Sequence, residues 1–283
     1  MFRTAQGQAR YFAAYDAALA LWPVPLESFD TLTRFGRTHV HACGPPDAPP
    51  LVLLPGAAIS STMWYPNIAA LSRANRVYAP DIPGDMGKSV STRPFKQPAE
   101  LADWLTDVFD ALHLAQVDLA GLSYGGFAAL RLAVAAPARV RRLVLLSPVG
   151  VLPLRPAYFL RMATAMLPTV VLSAEARQKV FLGAYSPLTT PVLAQMMTPT
   201  DFRYSLYLPP VLTDAELASL SVPTLLLMGA QDVAFNPAAM LRRVTPRIRQ
   251  LETALIPAAG HALNLDQPEV VSARILAFLQ PAA

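Results

Sequence analysis

The first chemical signal in this chain is the run Gly121-Leu122-Ser123-Tyr124-Gly125, followed by Gly126. A serine with glycine two positions to each side suits a sharp strand-to-helix turn. Side chains at the glycine positions would collide with the neighbouring strand and helix. Residues 117–121 read as a short apolar strand and 124–136 as a helix, so the required context is present. Such a turn leaves the hydroxyl projecting alone, beside a helix N-terminus that favours developing negative charge. A serine hydroxyl is a poor nucleophile near neutral pH and needs a base, itself oriented by a carboxylate.

Two later residues fit those roles by position. Asp232, in Gly229-Ala230-Gln231-Asp232, falls just past the apolar strand 222–229. His261, in Ala259-Gly260-His261, falls just past a strand ending at Pro257. Both stand at carboxyl ends of strands, on the same edge of a sheet as Ser123. Acyl transfer also needs donors for an oxyanion. The N–H of Tyr124 is one candidate. The N–H of Ala57, in the Pro55-Gly56-Ala57-Ala58 turn after strand 51–54, is the other.

Two competing signals are weaker. His39, His41 and Cys43 share one face of a strand, but the outer two are about 13 Å apart and no fourth ligand is in view, so no metal is expected. Gly84-Asp85-Met86-Gly87-Lys88-Ser89 resembles the end of a phosphate-binding loop. Ile82 stands where that pattern needs glycine, and the stretch reads as a turn after strand 76–80.

The elements that must hold these residues alternate along the chain. A helix over 5–21 precedes a hairpin, 29–34 and 38–43, turning at Phe35-Gly36-Arg37. Strand, helix, strand, helix, strand follow at 76–80, 98–113, 117–121, 124–136 and 140–147. The order resumes with 222–229, 236–244, 250–257 and 268–279. Short apolar strands alternating with helices imply a mostly parallel sheet covered on both faces, with the hairpin adding antiparallel strands at one edge. Residues 150–219 break the rhythm with Pro, Met and short helical segments. The expected organisation is a core of 1–149 and 220–283 with a helical cap over 150–219, roofing the crevice at the strand ends.

The length, 283 residues, and a 53% hydrophobic, 15% charged composition exclude a disordered chain. The net charge of +4 is carried by scattered basic residues, so nucleic acid is not an expected partner. No apolar run approaches the about 20 residues that span a bilayer, and no targeting segment is visible. One cysteine, Cys43, cannot form an internal disulfide. A cytoplasmic protein of undetermined oligomeric state is the expectation.

Taken in order, Leu53-Leu54-Pro55-Gly56, Ser61 to Asn67, Asp81 to Ser89, the Ser123 turn, Gly229 to Asp232 and Gly260-His261 resemble the α/β-hydrolase superfamily, and within it bacterial serine carboxylesterases. One departure is Pro55-Gly56, where that family usually carries His-Gly. The resemblance implies an α/β-hydrolase fold with Ser123 as nucleophile, His261 as general base and acid, and Asp232 as orienting carboxylate. Ala57 and Tyr124 would be the oxyanion donors. It implies no metal or organic cofactor, and the apolar roof residues point to a small or medium apolar ester as the substrate. The pocket wall is expected from Met63, Trp64, Val149 and Leu263. Phe159, Met162, Met166 and Met197 would add to it from the roof, where methionine suits an irregular apolar space. Each roof residue serves equally well as cap core. Other chemistry by the same triad, carbon–carbon bond hydrolysis or perhydrolysis, stays open, as does a non-enzymatic sensor that retains the triad.

Overall fold

The computed structural model describes residues 2–165, 172–198 and 201–280. Helix α1 (Ala5–Leu19) leads into the hairpin β1 (Glu27–Thr33) and β2 (Gly36–Cys43). Then come β3 (Pro50–Leu54), α2 (Tyr65–Leu71), β4 (Arg76–Pro80), the two-residue β5 (Val90–Ser91) and α3 (Ala99–Ala111). The centre is built by β6 (Val117–Leu122), α4 (Tyr124–Ala135) and β7 (Val140–Leu146). Between β7 and β8 (Thr224–Gly229) lie α5 (Pro156–Ala165), α6 (Ala174–Leu182), α7 (Thr190–Met197) and α8 (Asp214–Ala218). The chain finishes with α9 (Pro237–Val244), β9 (Leu251–Ile256), α10 (Leu263–Asp266) and α11 (Pro268–Leu279).

Among the described residues the strands form one sheet in the order β1-β2-β4-β3-β6-β7-β8-β9, with β5 paired to β2. From β4 to β9 every pairing is parallel, while β2 runs antiparallel to both β1 and β4. The central strands are apolar throughout because both faces are covered. Val52, Leu54, Leu119, Leu143, Leu145, Leu226 and Met228 join the core on one face, with α3, α4 and α9. Leu51, Leu53, Ala120, Leu122, Val144, Leu146, Leu225 and Leu227 join the core on the other, with α2 and α11. The period-2 alternation of a strand sorts each neighbour to the opposite side. β8 is buried along its whole length, whereas β9, at the sheet edge, is largely exposed.

Local chemistry sets several boundaries. Asn236 caps α9 by accepting from the Ala239 N–H, and Thr213 with Glu216 forms a capping box at α8. The hairpin turns earlier than expected. Gly36 is already in β2, opposite Thr33. Helix α2, absent from the sequence expectation, carries Pro66 in its first turn, where a missing N–H costs no hydrogen bond. Among the described residues the segment between β7 and β8 carries helices α5 to α8 and an irregular stretch over 201–213, and Leu212 and Leu217 belong to the same buried cluster as the β6 and β7 side chains.

His39 and His41 are engaged in hydrogen bonds. His41 is fully buried, with Nε2 2.6 Å from the Tyr15 hydroxyl and Nδ1 2.7 Å from Ser28 Oγ. His39 Nδ1 lies 2.7 Å from Asp30. Burial pushes the His41 pKa down to about 4.

Candidate active site

Ser123 sits between β6 and α4 at φ +51°, ψ −109°, a conformation that costs a non-glycine residue roughly 1–3 kcal/mol. The surroundings hold it there. Its N–H donates to the Leu146 carbonyl at 2.9 Å, and its carbonyl accepts from Phe127 and Val149. A Cβ on Gly121 would run into the backbone of Gly125, and one on Gly125 into the carbonyls of Leu54 and Pro55. The two glycines are therefore required by close approach of backbone to backbone.

Asp232 follows β8. Its Oδ1 accepts from the N–H groups of Ala234 (2.8 Å) and Phe235 (3.1 Å), leaving Oδ2 to face His261 Nδ1 at 3.0 Å. The residue is 5% exposed. Burial pushes its carboxyl up, but the charge and hydrogen bond of His261 more than offset this and hold it below the usual carboxylate range. An ionised Asp232 accepts only, so Nδ1 carries the imidazole proton and Nε2 is left as an acceptor. His261 Nε2 stands 3.0 Å from Ser123 Oγ.

The histidine loop is held from two sides. The Gly260 N–H donates to Asp266 Oδ2 at 2.8 Å. The His261 N–H donates at 2.6 Å to the carbonyl of Leu182, the last residue of α6. Gly183, next in the chain, lies against the carbonyl of Gln231, the neighbour of Asp232. The segment between β7 and β8 thus touches both loops that carry Asp232 and His261. A second tie joins it to the other side of the site. Gln195, buried on α7, accepts from Ser60 Oγ and donates to Thr62 Oγ1, both at 2.8 Å.

Residues 56–58 form the turn after β3. The Ala58 N–H is taken by the buried carboxylate of Asp85, at 2.9 and 3.1 Å to its two oxygens. Ala57 is exposed and Tyr124 heads α4, where the first N–H groups have no intrahelical acceptor. Ala57, Tyr124, Ser123 and His261 all border one cavity of about 330 Å³.

That cavity is apolar, and the structure redistributes its expected wall. Val149 lines it. Met63, Trp64 and Leu263 are instead fully buried in the core beneath, while Ala262 and Leu265 reach the cavity beside them. Phe159 is 58% exposed and its neighbour Tyr158 lines the space; Met197 is 40% exposed and Met196 lines it. The reason is helical: successive residues point about 100° apart, so an offset of one turns a side chain from wall to solvent. On α7 the wall residues Val192, Leu193 and Met196 form one face, an i, i+1, i+4 spacing that becomes a signal once the bounds of the helix are known. Met166 lies outside the described residues, as does the side chain of Met162.

A strained serine at the head of a parallel sheet, facing an imidazole backed by a buried carboxylate, defines a class. The chain belongs to the alpha/beta hydrolase family, whose profile matches residues 51–274. Among curated relatives it is 38% identical to Carboxylesterase YbfK of Bacillus subtilis (strain 168), covering 98% of this chain and 96% of that protein. The crystal structure of that carboxylesterase has a TM-score of 0.86 at 35% identity, covering 99% of this chain and 100% of the other. The crystal structure of naproxen esterase from Bacillus subtilis gives 0.85 at 36%, covering 98% and 100%. Among the described residues no helix is long and apolar enough to cross a membrane.

Proposed function

We propose that the protein is a serine carboxylic-ester hydrolase that acts on small or medium apolar esters, with Ser123, His261 and Asp232 as its triad. The reading rests on one observation: the hydrogen-bonded run from Asp232 through His261 to Ser123, opening on an apolar cavity. The relatives named as carboxylesterases support it.

In the first step Nε2 of His261 takes the Ser123 proton as Oγ attacks the ester carbonyl. The ionised Asp232 stabilises the imidazolium that forms. The tetrahedral oxyanion is held by the N–H groups of Ala57 and Tyr124. Collapse expels the alcohol, which takes the proton from Nε2, and leaves an acyl-serine. A water molecule, deprotonated by the same nitrogen, then releases the acid and restores Ser123. Residues 150–219 serve as a cap that sets which acyl groups fit. The reading extends to a cytoplasmic enzyme, in keeping with its lone buried cysteine.

The test is steady-state hydrolysis of p-nitrophenyl esters from acetate to decanoate by wild type and Ser123→Ala. Turnover that falls roughly 10⁴-fold or more in the variant is expected. Equal turnover in both enzymes would overturn the assignment. A single slow acylation without turnover by wild type would favour the sensor reading instead.

A further inference from the structure

The turn over residues 56–58 must hold one N–H toward a developing oxyanion, yet Ala58 in it adopts φ +60° without being glycine. A strained turn persists only where its surroundings over-determine it. A restraint on it is Asp85, 1% exposed, whose two oxygens straddle the Ala58 N–H. Asp85 is itself fixed. Its Oδ1 accepts from the Met86 N–H at 2.7 Å, and its own N–H donates to Ile82. The turn that carries Asp85 is anchored in turn through Asp81, which accepts from the N–H groups of Lys88 and Ser61 at 2.8 Å.

We propose that Asp85 is a positioning residue for the reaction: by clamping the Ala58 N–H, its carboxylate fixes the 56–58 turn so that the Ala57 N–H stays free and aimed at the oxyanion. The inference rests on the ester-hydrolase reading above. Two consequences follow from the geometry. With Ala58 committed to Asp85, the turn has one fewer N–H to offer, and the loop after β3 is tied to the loop after β4. A carboxylate in this position is retained against its environment: burial, helped by the charge of Asp81, pushes Asp85 up to about 7 even though the Met86 and Ala58 N–H groups pull it down. The charge of Asp85 is felt in turn by Tyr11, Tyr124 and Tyr204.

The experiment compares wild type, Asp85→Ala, Asp85→Leu and Asp85→Asn with p-nitrophenyl butyrate as substrate and phenylboronic acid as a tetrahedral mimic. Leucine keeps the branching at Cγ but bears no acceptor, so it decides the matter if the alanine variant does not fold. Asparagine keeps an acceptor oxygen. The Ala and Leu variants should lose roughly 10- to 100-fold in kcat, part of the effect of removing an oxyanion donor outright. Their boronate affinity should weaken by a similar factor while KM stays within twofold. Asp85→Asn should stay within about threefold of wild type, because the acceptor survives. An Asp85→Leu enzyme with unchanged kcat and boronate affinity would overturn the inference, as would an Asn variant as slow as the Leu one. A wild type that shows no turnover at all would sink the hydrolase reading itself, a different outcome from either.

Discussion

Gly183 ends α6 at φ +92°, ψ −24°, and a Cβ added there would land on the carbonyl oxygen of Gln231. Gly183→Ala therefore meets two penalties. The left-handed backbone costs a residue with a Cβ roughly 1–2 kcal/mol. Overpacking adds about 1–3 kcal/mol, because the nearest atoms are those of the Gln231 carbonyl, which is backbone and not a flexible side chain. Together they predict a loss of roughly 2–5 kcal/mol, and at about 2–4 °C per kcal/mol the melting temperature should fall by roughly 4–20 °C. The activity effect has its own route. Relief of the contact moves either Gln231, one residue before Asp232, or Leu182, whose carbonyl holds the His261 N–H. A displacement of 1 Å in such a frame can cost about 100-fold, so kcat should fall between about 10- and 100-fold with a smaller change in KM. Thermal melts and p-nitrophenyl butyrate kinetics on the same preparation read both. A variant that melts and turns over like its parent would refute the reasoning. One that melts early but keeps full kcat would show that the two loops tolerate movement of α6.

Two further perturbations bear on the core and the pocket. Because His41 is held near pKa 4 against an ordinary 6.5, the unfolded chain takes up a proton that the folded one refuses as pH falls through that interval. Its contribution is fully present above about 6.5 and lost toward 4, worth about 3 kcal/mol at most. Asp85, raised to about 7, works in the opposite sense. The difference in urea stability between wild type and His41→Gln isolates the first group, and it should narrow on acidification; a constant difference from pH 7 to 4 would contradict the burial argument. Val149→Phe narrows the cavity beside Ser123, so kcat/KM for decanoate should drop at least tenfold more than for acetate across the p-nitrophenyl ester series. Equal losses on both esters would place Val149 outside the acyl path.

The alternation of strands and helices and the positions of Ser123, Asp232 and His261 were legible because each depends on local pattern. A strand ends, a turn follows, and the chemistry-bearing side chain sits in it. The strand at 76–80 matches β4 at both ends, and the helix at 268–279 matches α11. The pocket wall was far less legible. Whether Met196 or Met197 reaches the cavity depends on the phase of a short helix, and whether Met63 does depends on what lies across from it. Composition carries neither fact. The supporting groups were hidden for another reason. Asp85, Gln195 and Leu182 act through partners on other parts of the chain, Ala58, Ser60, Thr62 and His261, which only the folded arrangement brings within reach. In the sequence Asp85 stood only as one residue of the Asp81 to Ser89 stretch, with nothing to mark it as a partner of Ala58.

More than half of the described residues bordering the cavity come from the single stretch between β7 and β8, while Ser123, Asp232 and His261 come from outside it. On the function proposed above, selectivity and reactivity are written on different lengths of polypeptide, and new substrates can be accommodated by redrafting one without disturbing the proton relay. The separation has a seam at Leu182 and Gly183. Any transplanted stretch would have to bring a carbonyl for the histidine loop and a residue without a side chain beside the acid loop, or the borrowed roof would unsettle the machinery below it.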